Sequence, residues 1–206
     1  MRLILASASA RRAELLRAAG IEFDIIPAHV DECVLPGETP EQHVKRLAAA
    51  KAHAVLPRAG DRPVLSADTV VVVDGAILGK PVDDGDARRM LGLLSGRSHE
   101  VMTGVCLVNP DGPAQAGHYV RGRKDPPGDT RMSDVAVTTV EFAPLTDAEI
   151  DWYVASGEPA DKAGAYAIQG LASRFVTRID GSYSNVVGLP VAVVYHLCNL
   201  AGLLIS

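Results

Sequence analysis

The chain has 206 residues, which is enough for one domain, or for one domain with two lobes. Hydrophobic residues make up 48% of it and aromatic residues only 4%, so Ala, Val and Leu must fill most of a core. The formal charge of −5 at pH 7 argues against a nucleic-acid polymer as the main partner, because there is no basic surplus to bind phosphates.

Cysteine spacing and hydropathy indicate the cellular compartment of the protein. Cys33, Cys106 and Cys198 show no CxxC spacing, and the last two lie in apolar runs, so we expect them to be small buried side chains of a protein in a reducing cytosol. The apolar stretch after Met1 is too short for a signal peptide. The most apolar helix, 191–205, is short for a membrane span and is interrupted by polar residues. These features predict a cytoplasmic protein without a membrane partner.

Strand and helix patterns alternate along the chain, which is typical of an α/β fold with a mixed sheet. In chain order, we predict a strand at 3–6, a helix at 10–19, a strand at 22–26, a helix from 40 to just before Pro57, strands at 64–73 and 76–79, a helix at 84–94, strands at 99–108 and 135–143, a helix from 147, a strand at 174–179 and a helix from 190.

Local signals support several of these boundaries. Gly20 follows the first helix in the position where a left-handed residue commonly ends a helix. Thr39 with Gln42 and Thr146 with Glu149 are capping-box pairs. The dipeptide at 74–75, Asp-Gly, predicts a tight hairpin.

Two segments break the pattern. Residues 112–133 contain three prolines and four glycines without apolar periodicity, and predict an inserted, flexible surface loop. Residues 157–170 are too rich in Gly, Pro and charge for regular structure, and long loops of this kind are often functional. We interpret 181–190 as a structural turn.

Residues 5–16, LASASARRAELL, combine a strand end, two serines, two arginines and the start of a helix. Free N–H groups at a helix start favour an anion, and Ser7, Ser9, Arg11 and Arg12 add donors suited to phosphate. Taken alone, the segment is also compatible with a serine N-cap followed by arginines that face solvent.

Asp68 lies inside the apolar run VLSADTVVVV, where an unpaired carboxylate would cost several kcal/mol. It therefore needs a cation, a donor network or a metal, unless it sits at a strand end and bonds local backbone. Counting back from the hairpin turn sets Thr69 opposite Lys80, with Asp68 one step beyond.

Among the other polar residues, Lys51 and Gln169 each have two interpretations. Lys51 lies on the apolar stripe of its predicted helix, so it either extends to the edge or points into an anionic cleft. Lys162 is suited to phosphate, and Gln169 either reads a pyrimidine edge or braces its own loop. His99 has no metal-ligand spacing and is expected to be an ordinary surface or capping histidine.

Six segments carry a resemblance to a known family: LASASARRAELL, SADTVVVVDG, LGKP, LSGRSHEVMTGV, GEPADKAGAYAIQG and GSYSNVVGLP. In this order they resemble the Maf family of nucleoside triphosphate pyrophosphatases, over residues 5–190. The stretch AGAYAIQG is similar to the branch that hydrolyses dTTP and UTP.

The resemblance implies a single domain over 1–206 with a mixed central sheet flanked by helices and two lobes around a nucleotide cleft, as in inosine triphosphatases. It implies that Asp68 is the catalytic base, and that Glu32, or Asp31 in its place, holds Mg²⁺ or Mn²⁺ together with Asp68. The substrate-binding residues that it implies are Ser7, Ser9, Arg11, Arg12, Lys51, Thr69, Lys80, Lys162 and Gln169.

The implied activity is hydrolysis of dTTP, UTP and modified pyrimidine nucleotides to the monophosphate and pyrophosphate. A homodimer and a link to cell-division arrest are also implied. Two alternatives stay open: a pyrophosphatase for 7-methyl-GTP or another purine, and a nucleotide-binding regulator of septum formation with little turnover. Only an enzyme needs Asp68 as a base, so the intact pair of Asp68 and Thr69 favours catalysis.

Overall fold

A computed structural model of the chain describes residues 2–110 and 131–203. Most of the predicted insertion at 112–133 lies outside the described residues. Its last three residues belong to a strand, so that boundary of the prediction is wrong. The physical reason is that Met132 is buried in a hydrophobic core, which extends the strand beyond the polar composition of the segment.

The described elements confirm an α/β fold with a mixed sheet. The strands are β1 Leu3–Leu5, β2 Phe23–Ile25, β3 Val64–Val73, β4 Ala76–Leu78, β5 Ser98–Val108, β6 Arg131–Phe142 and β7 Val176–Asp180. The α-helices are α1 Ala10–Ala18, α2 Pro40–Ala59, α3 Asp84–Leu94, α4 Asp147–Ala155, α5 Tyr183–Val187 and α6 Val191–Leu200.

The sheet has both parallel and antiparallel pairs. Its strand order is β2-β1-β3-β5-β6-β7, and β4 pairs with β3 outside this path. Strand β1 is parallel to β2 and β3, whereas β3 is antiparallel to β4 and β6 to β7.

The described residues fall into two compact units. The first contains 2–68, 103–110, 131–136 and 188–203, and the second contains 69–102 and 137–187.

In the first unit, helices cover both faces of the sheet. Side chains alternate along a strand, so Leu3 and Leu5 join one core cluster with α1 and α6, while Ile4 and Ala6 join another with α2. Cys106 and Cys198 are fully buried, as predicted. Helix α2 lies directly against β5 at Gly104, where a Cβ would come 2.4 Å from the carbonyl oxygen of Val44.

The predicted capping boxes are confirmed at Thr39 and Thr146. The prediction that α2 ends before Pro57 is wrong, because the helix continues to Ala59. Proline removes one backbone hydrogen bond close to the helix end, and the buried contacts of Val55 and Ala59 on the same face hold the last turn in place.

The second unit contains the predicted hairpin. Asp74 and Gly75 both have positive φ, and Val71 pairs with Leu78 in the register counted from the sequence. The antiparallel ladder between β3 and β4 ends at that pair. Beyond it, the carbonyl of Gly79 accepts a 3.0 Å hydrogen bond from the N–H of Gly164.

Three of the predictions for the second unit need correction. Residues 157–170 contain short 3₁₀ helices at Glu158–Asp161 and Ala163–Ala165, and a third 3₁₀ helix, Leu171–Phe175, replaces the predicted start of the last strand. Part of the predicted turn at 181–190 is helix α5. In each case, hydrogen bonds to positions far away in the sequence fix a segment whose composition lacks periodicity. Within the described ranges, no helix is both long and apolar enough to cross a membrane.

Candidate active site

Three predicted residues meet in the first unit and form what we call the acid–lysine cluster: Glu32, Lys51 and Asp68. The Nζ atom of Lys51 lies 2.6 Å from Asp68 Oδ1 and 2.6 Å from Glu32 Oε1. The side chains of Lys51 and Asp68 are 10% and 9% exposed, whereas that of Glu32 is 46% exposed. Asp68 therefore has the cationic partner that its burial requires, and Lys51 points toward two carboxylates instead of extending to the solvent edge.

Packing of α2 against the sheet positions this cluster. Leu47 and Ala48 are buried, and Lys51 follows them on the same helical face. The hydroxyl of Ser66 on β3 donates a 2.6 Å hydrogen bond to the carbonyl of Ala48, which joins α2 to the strand two residues before Asp68.

A separate ionic group braces the loop that carries Glu32. Glu38 accepts hydrogen bonds from Arg46 at 2.6 Å and 2.8 Å, and also contacts His43 at 3.0 Å. Arg46 donates a further bond to the carbonyl of Cys33, next to Glu32. The hydrogen bonds from Arg46 are the main reason that the pKa of Glu38 is lowered to about 2.

The serine and arginine segment is built as a helix start, but Arg12 is engaged by backbone. Ser9 is the N-cap of α1, and Ser7 accepts from the N–H of Ser9. Arg12 donates to the carbonyls of Ala67 at 2.7 Å and Gly188 at 2.8 Å, and to the Ser7 hydroxyl. Burial lowers the pKa of Arg12, and the negative charge of Asp68 opposes that shift.

The other four predicted residues belong to the second unit. Thr69 is half-buried, and Lys80 and Gln169 are exposed. Lys162 is bonded to the carboxylate of Asp161 and to the backbone carbonyl of Glu158. The substrate-binding roles of these residues stay predictions, as do those of Ser7, Ser9, Arg11, Arg12 and Lys51.

Glu32 and Asp68 have the chemistry of a divalent-cation site. Their carboxylate oxygens converge on one cationic atom, Lys51 Nζ, and carboxylate oxygen is what Mg²⁺ and Mn²⁺ prefer. Among the residues that the structure describes, no three His, Cys, Asp or Glu side chains form a ready metal cage. Two carboxylates nevertheless suffice for Mg²⁺, which usually keeps water and phosphate oxygens in its shell.

Sequence reasoning missed the residues that hold the backbone around Gln169. We call residues 164–172 the Gln169 loop. Tyr153 and Glu158 hydrogen-bond its backbone, and His99 hydrogen-bonds the Tyr166 hydroxyl at 2.8 Å. The prediction of an ordinary surface or capping histidine is wrong, because His99 is only 3% exposed and packs edge-on against Phe142. The position of His99 in an apolar predicted strand was the signal that could have indicated its burial.

Comparison with known proteins gives a consistent result. The family model described as Maf-like protein matches residues 2–201. A dTTP/UTP pyrophosphatase of Koribacter versatilis is 48% identical over 99% of this chain and 96% of its own. One from Anaeromyxobacter sp. is 51% identical over 98% and 90%, and one from Anaeromyxobacter dehalogenans is 52% identical over 98% and 94%.

A solved structure, the Ham1 protein of Staphylococcus aureus, is 14% identical and covers 95% of this chain and 99% of its own, with a TM-score of 0.49. The family model spans almost the whole sequence, and the relatives match it at about half identity over nearly their full lengths. The chain therefore belongs to the Maf-like protein family.

Proposed function

We propose that this chain is a nucleoside triphosphate pyrophosphatase that hydrolyses dTTP and UTP to the nucleoside monophosphate and pyrophosphate. Relatives 48% and 52% identical over nearly the whole chain carry the name dTTP/UTP pyrophosphatase. The structural observation that carries the proposal is the buried carboxylate of Asp68, bonded to Lys51 beside Glu32. Such a group of charges is suited to phosphoryl chemistry, in which positioned cations offset negative charge that develops on oxygen.

Asp68 is the proposed general base. Its carboxylate accepts a proton from water while the water oxygen forms a bond to the α-phosphorus. The bond from the α-phosphorus to the oxygen that bridges to the β-phosphorus breaks, and pyrophosphate leaves. Lys51 holds the Asp68 carboxylate in place through the 2.6 Å hydrogen bond.

The remaining roles follow the chemistry of each side chain. Ammonium and guanidinium groups neutralise phosphate charge, hydroxyl groups donate to phosphate oxygens, and the amide of Gln169 pairs with the pyrimidine edge while Thr69 tunes substrate choice. The phosphate-binding set is Ser7, Ser9, Arg11, Arg12, Lys51, Lys80 and Lys162.

Glu32 and Asp68 are the proposed ligands of Mg²⁺ or Mn²⁺. A bound divalent cation would neutralise phosphate charge and help to orient the triphosphate. The exposed side of Glu32 leaves room for water and phosphate oxygens in the shell of such an ion.

We further propose a cytoplasmic homodimer that acts on free nucleotides, including modified pyrimidine nucleotides, and not on nucleic-acid polymers or membranes. The negative formal charge of −5 supports the choice of small nucleotides over polymers. A link to cell-division arrest remains a prediction from the family resemblance.

The test is a panel of dTTP, UTP, CTP, GTP and 7-methyl-GTP, with pyrophosphate and the monophosphate measured separately. The proposal expects equal amounts of the two products and the highest kcat/KM for dTTP and UTP. Highest activity on 7-methyl-GTP or GTP would replace it by the purine alternative. Tight binding of dTTP without product release would favour the regulatory alternative.

A further inference from the structure

The backbone of the Gln169 loop is held on both sides of Gln169 by one connected hydrogen-bond group. The N–H of Ala167 donates to the Tyr153 hydroxyl at 3.2 Å, and the N–H of Leu171 donates to Glu158 Oε2 at 3.0 Å. The Tyr153 hydroxyl itself donates to Glu158 Oε1 at 2.7 Å. The backbone is therefore fixed two residues before Gln169 and two residues after it.

The two anchoring side chains are positioned from outside the loop. Tyr153 belongs to α4, is fully buried, and packs edge-on against Phe175 with 5.6 Å between ring centroids. Burial and the Glu158 carboxylate raise the pKa of Tyr153, so its hydroxyl stays protonated and remains a donor to Glu158. The loop is held by a rigid element of the core, and not only by its own turns.

Gly170 shows how closely the Glu158 carboxylate approaches the loop. A Cβ at this position would meet the Glu158 Oε2 and Oε1 atoms at 2.1 Å and 2.5 Å. The φ of Gly170 is −110°, which any residue can adopt, so a Cβ at this position would act by displacing the Glu158 carboxylate and not by straining φ. Because Gly170 has no side chain, the Glu158 carboxylate can lie directly against the backbone next to Gln169.

We propose that Tyr153 and Glu158 are positioning residues that set the specificity for the nucleobase by fixing the backbone that presents Gln169. This inference rests on the proposed function, in which Gln169 reads the pyrimidine edge. A hydrogen-bonding site rejects a wrong partner strongly only when its donor and acceptor are held in place, since a mobile side chain adapts to either. Gln169 is exposed, and the two anchors fix the backbone from which its side chain extends.

The experiment compares Tyr153→Phe and Gly170→Ala with the unmodified chain. The first removes one hydroxyl and keeps the buried ring, while the second displaces the Glu158 carboxylate from the loop side. Tyr195→Phe is the matched control, since it deletes a hydroxyl from a residue that is 57% exposed on α6. The kcat and KM values are measured for dTTP, UTP, GTP and 7-methyl-GTP, together with hydrogen exchange of a peptide that covers 164–172.

In both variants we expect the loop peptide to exchange faster and the ratio of kcat/KM for dTTP over GTP to fall roughly tenfold, as for the loss of about one well-placed hydrogen bond. The control should keep both values. A purely structural role would lower activity on all four nucleotides by one factor, and an unchanged dTTP over GTP ratio would overturn the inference. Unchanged exchange in the loop would overturn it as well. If Tyr153→Phe does not fold, Gly170→Ala decides.

A double variant separates this inference from the proposed function. In a Gln169→Ala background, Tyr153→Phe should not lower the dTTP over GTP ratio further, because the group it positions is gone. A further fall of the same size would overturn the positioning role. If the unmodified chain releases no pyrophosphate from dTTP or UTP, the proposed function fails. The dissociation constants for dTTP and GTP then replace kcat/KM as the measure of specificity. The inference expects the preference for dTTP to fall in both variants as above, and an unchanged preference would overturn it.

Discussion

The acid–lysine cluster and the Gln169 loop are held in place by different forces. In the cluster, one ammonium group bonds two carboxylates at 2.6 Å each, so charge holds the side chains together. In the loop, hydroxyl and carboxylate groups accept from backbone N–H groups, and the buried His99 hydrogen-bonds the Tyr166 hydroxyl. Changes to the cluster should therefore have large effects that depend on charge, and changes to the loop smaller effects that depend on the nucleobase.

The largest effect is expected from Asp68→Asn, which keeps the shape of the side chain and removes the basic carboxylate. We expect turnover of dTTP to fall by roughly two to four orders of magnitude, as is usual when a general base is lost, while dTTP still binds. Steady-state kinetics and calorimetric titration measure the two quantities. Asp61→Asn makes the same exchange at an exposed position and should have no effect. Turnover near the unmodified rate in Asp68→Asn would contradict the mechanism.

The need for a partner at Asp68 could be predicted from sequence, because a carboxylate in an apolar strand has few physical solutions. The hairpin and the two capping boxes were also predictable, since each depends on residues close together in the chain. Lys51 was only half predictable: the stripe placed it on the buried face, but its target depended on how α2 packs on the sheet at Gly104.

The anchors of the Gln169 loop could not be predicted in the same way. Tyr153 and Ala167 are separated by 14 positions, and no periodic pattern relates a helix to an irregular loop. His99 is separated from Tyr166 by 67 positions, so its burial in an aromatic group depends on the tertiary fold. The prediction that α2 ends before Pro57 failed for the same reason, because core contacts outweighed the local signal of the proline.

Stability should show how much the cluster depends on its single ammonium group. Lys51→Met leaves the carboxylates of Glu32 and Asp68 without that partner, and we expect the free energy of unfolding to fall by about 3–5 kcal/mol, as when a buried ion pair loses one member. Mg²⁺ should raise the melting temperature of this variant more than that of the unmodified chain, since a divalent cation can take over the lost charge.

The control for Lys51→Met lies on the same helix. Lys45 pairs with Glu41 one turn away at the surface, and Lys45→Met should cost no more than about 0.5 kcal/mol. Chemical denaturation of the two variants measures both losses. Equal losses would show that the cluster contributes no more than a surface pair.

Acid should loosen the surroundings of the Gln169 loop through His99. Burial lowers the pKa of His99 from 6.5 to about 4, so the unfolded chain takes up a proton at a higher pH than the folded chain does. The contribution of neutral His99 is complete above pH 6.5, falls as the pH decreases toward 4, and amounts to about 3 kcal/mol at 1.36 kcal/mol per pKa unit.

We therefore expect His99→Gln to lose less stability than the unmodified chain between pH 6.5 and pH 4. His53→Gln, at an exposed position on α2, should keep the full pH dependence. Denaturation at a series of pH values provides the comparison. The same slope in all three proteins would show that His99 does not need to stay neutral in the fold.

The smallest and most selective effect is expected at Gln169. Its amide can donate to O4 and accept from N3–H of thymine or uracil, and Gln169→Glu leaves O4 facing an acceptor. A mismatched contact of this kind costs roughly 1–3 kcal/mol, so kcat/KM for dTTP and UTP should fall with less change for GTP and 7-methyl-GTP. The added negative charge would also repel a triphosphate, but that effect lowers activity on every nucleotide alike.

Gln169→Met removes donor and acceptor without adding charge, and it should show the same selective loss. If activities on all five nucleotides of the panel decline in proportion in both variants, Gln169 only supports its loop, and the contrast between a charge-held cluster and a base-reading loop does not hold.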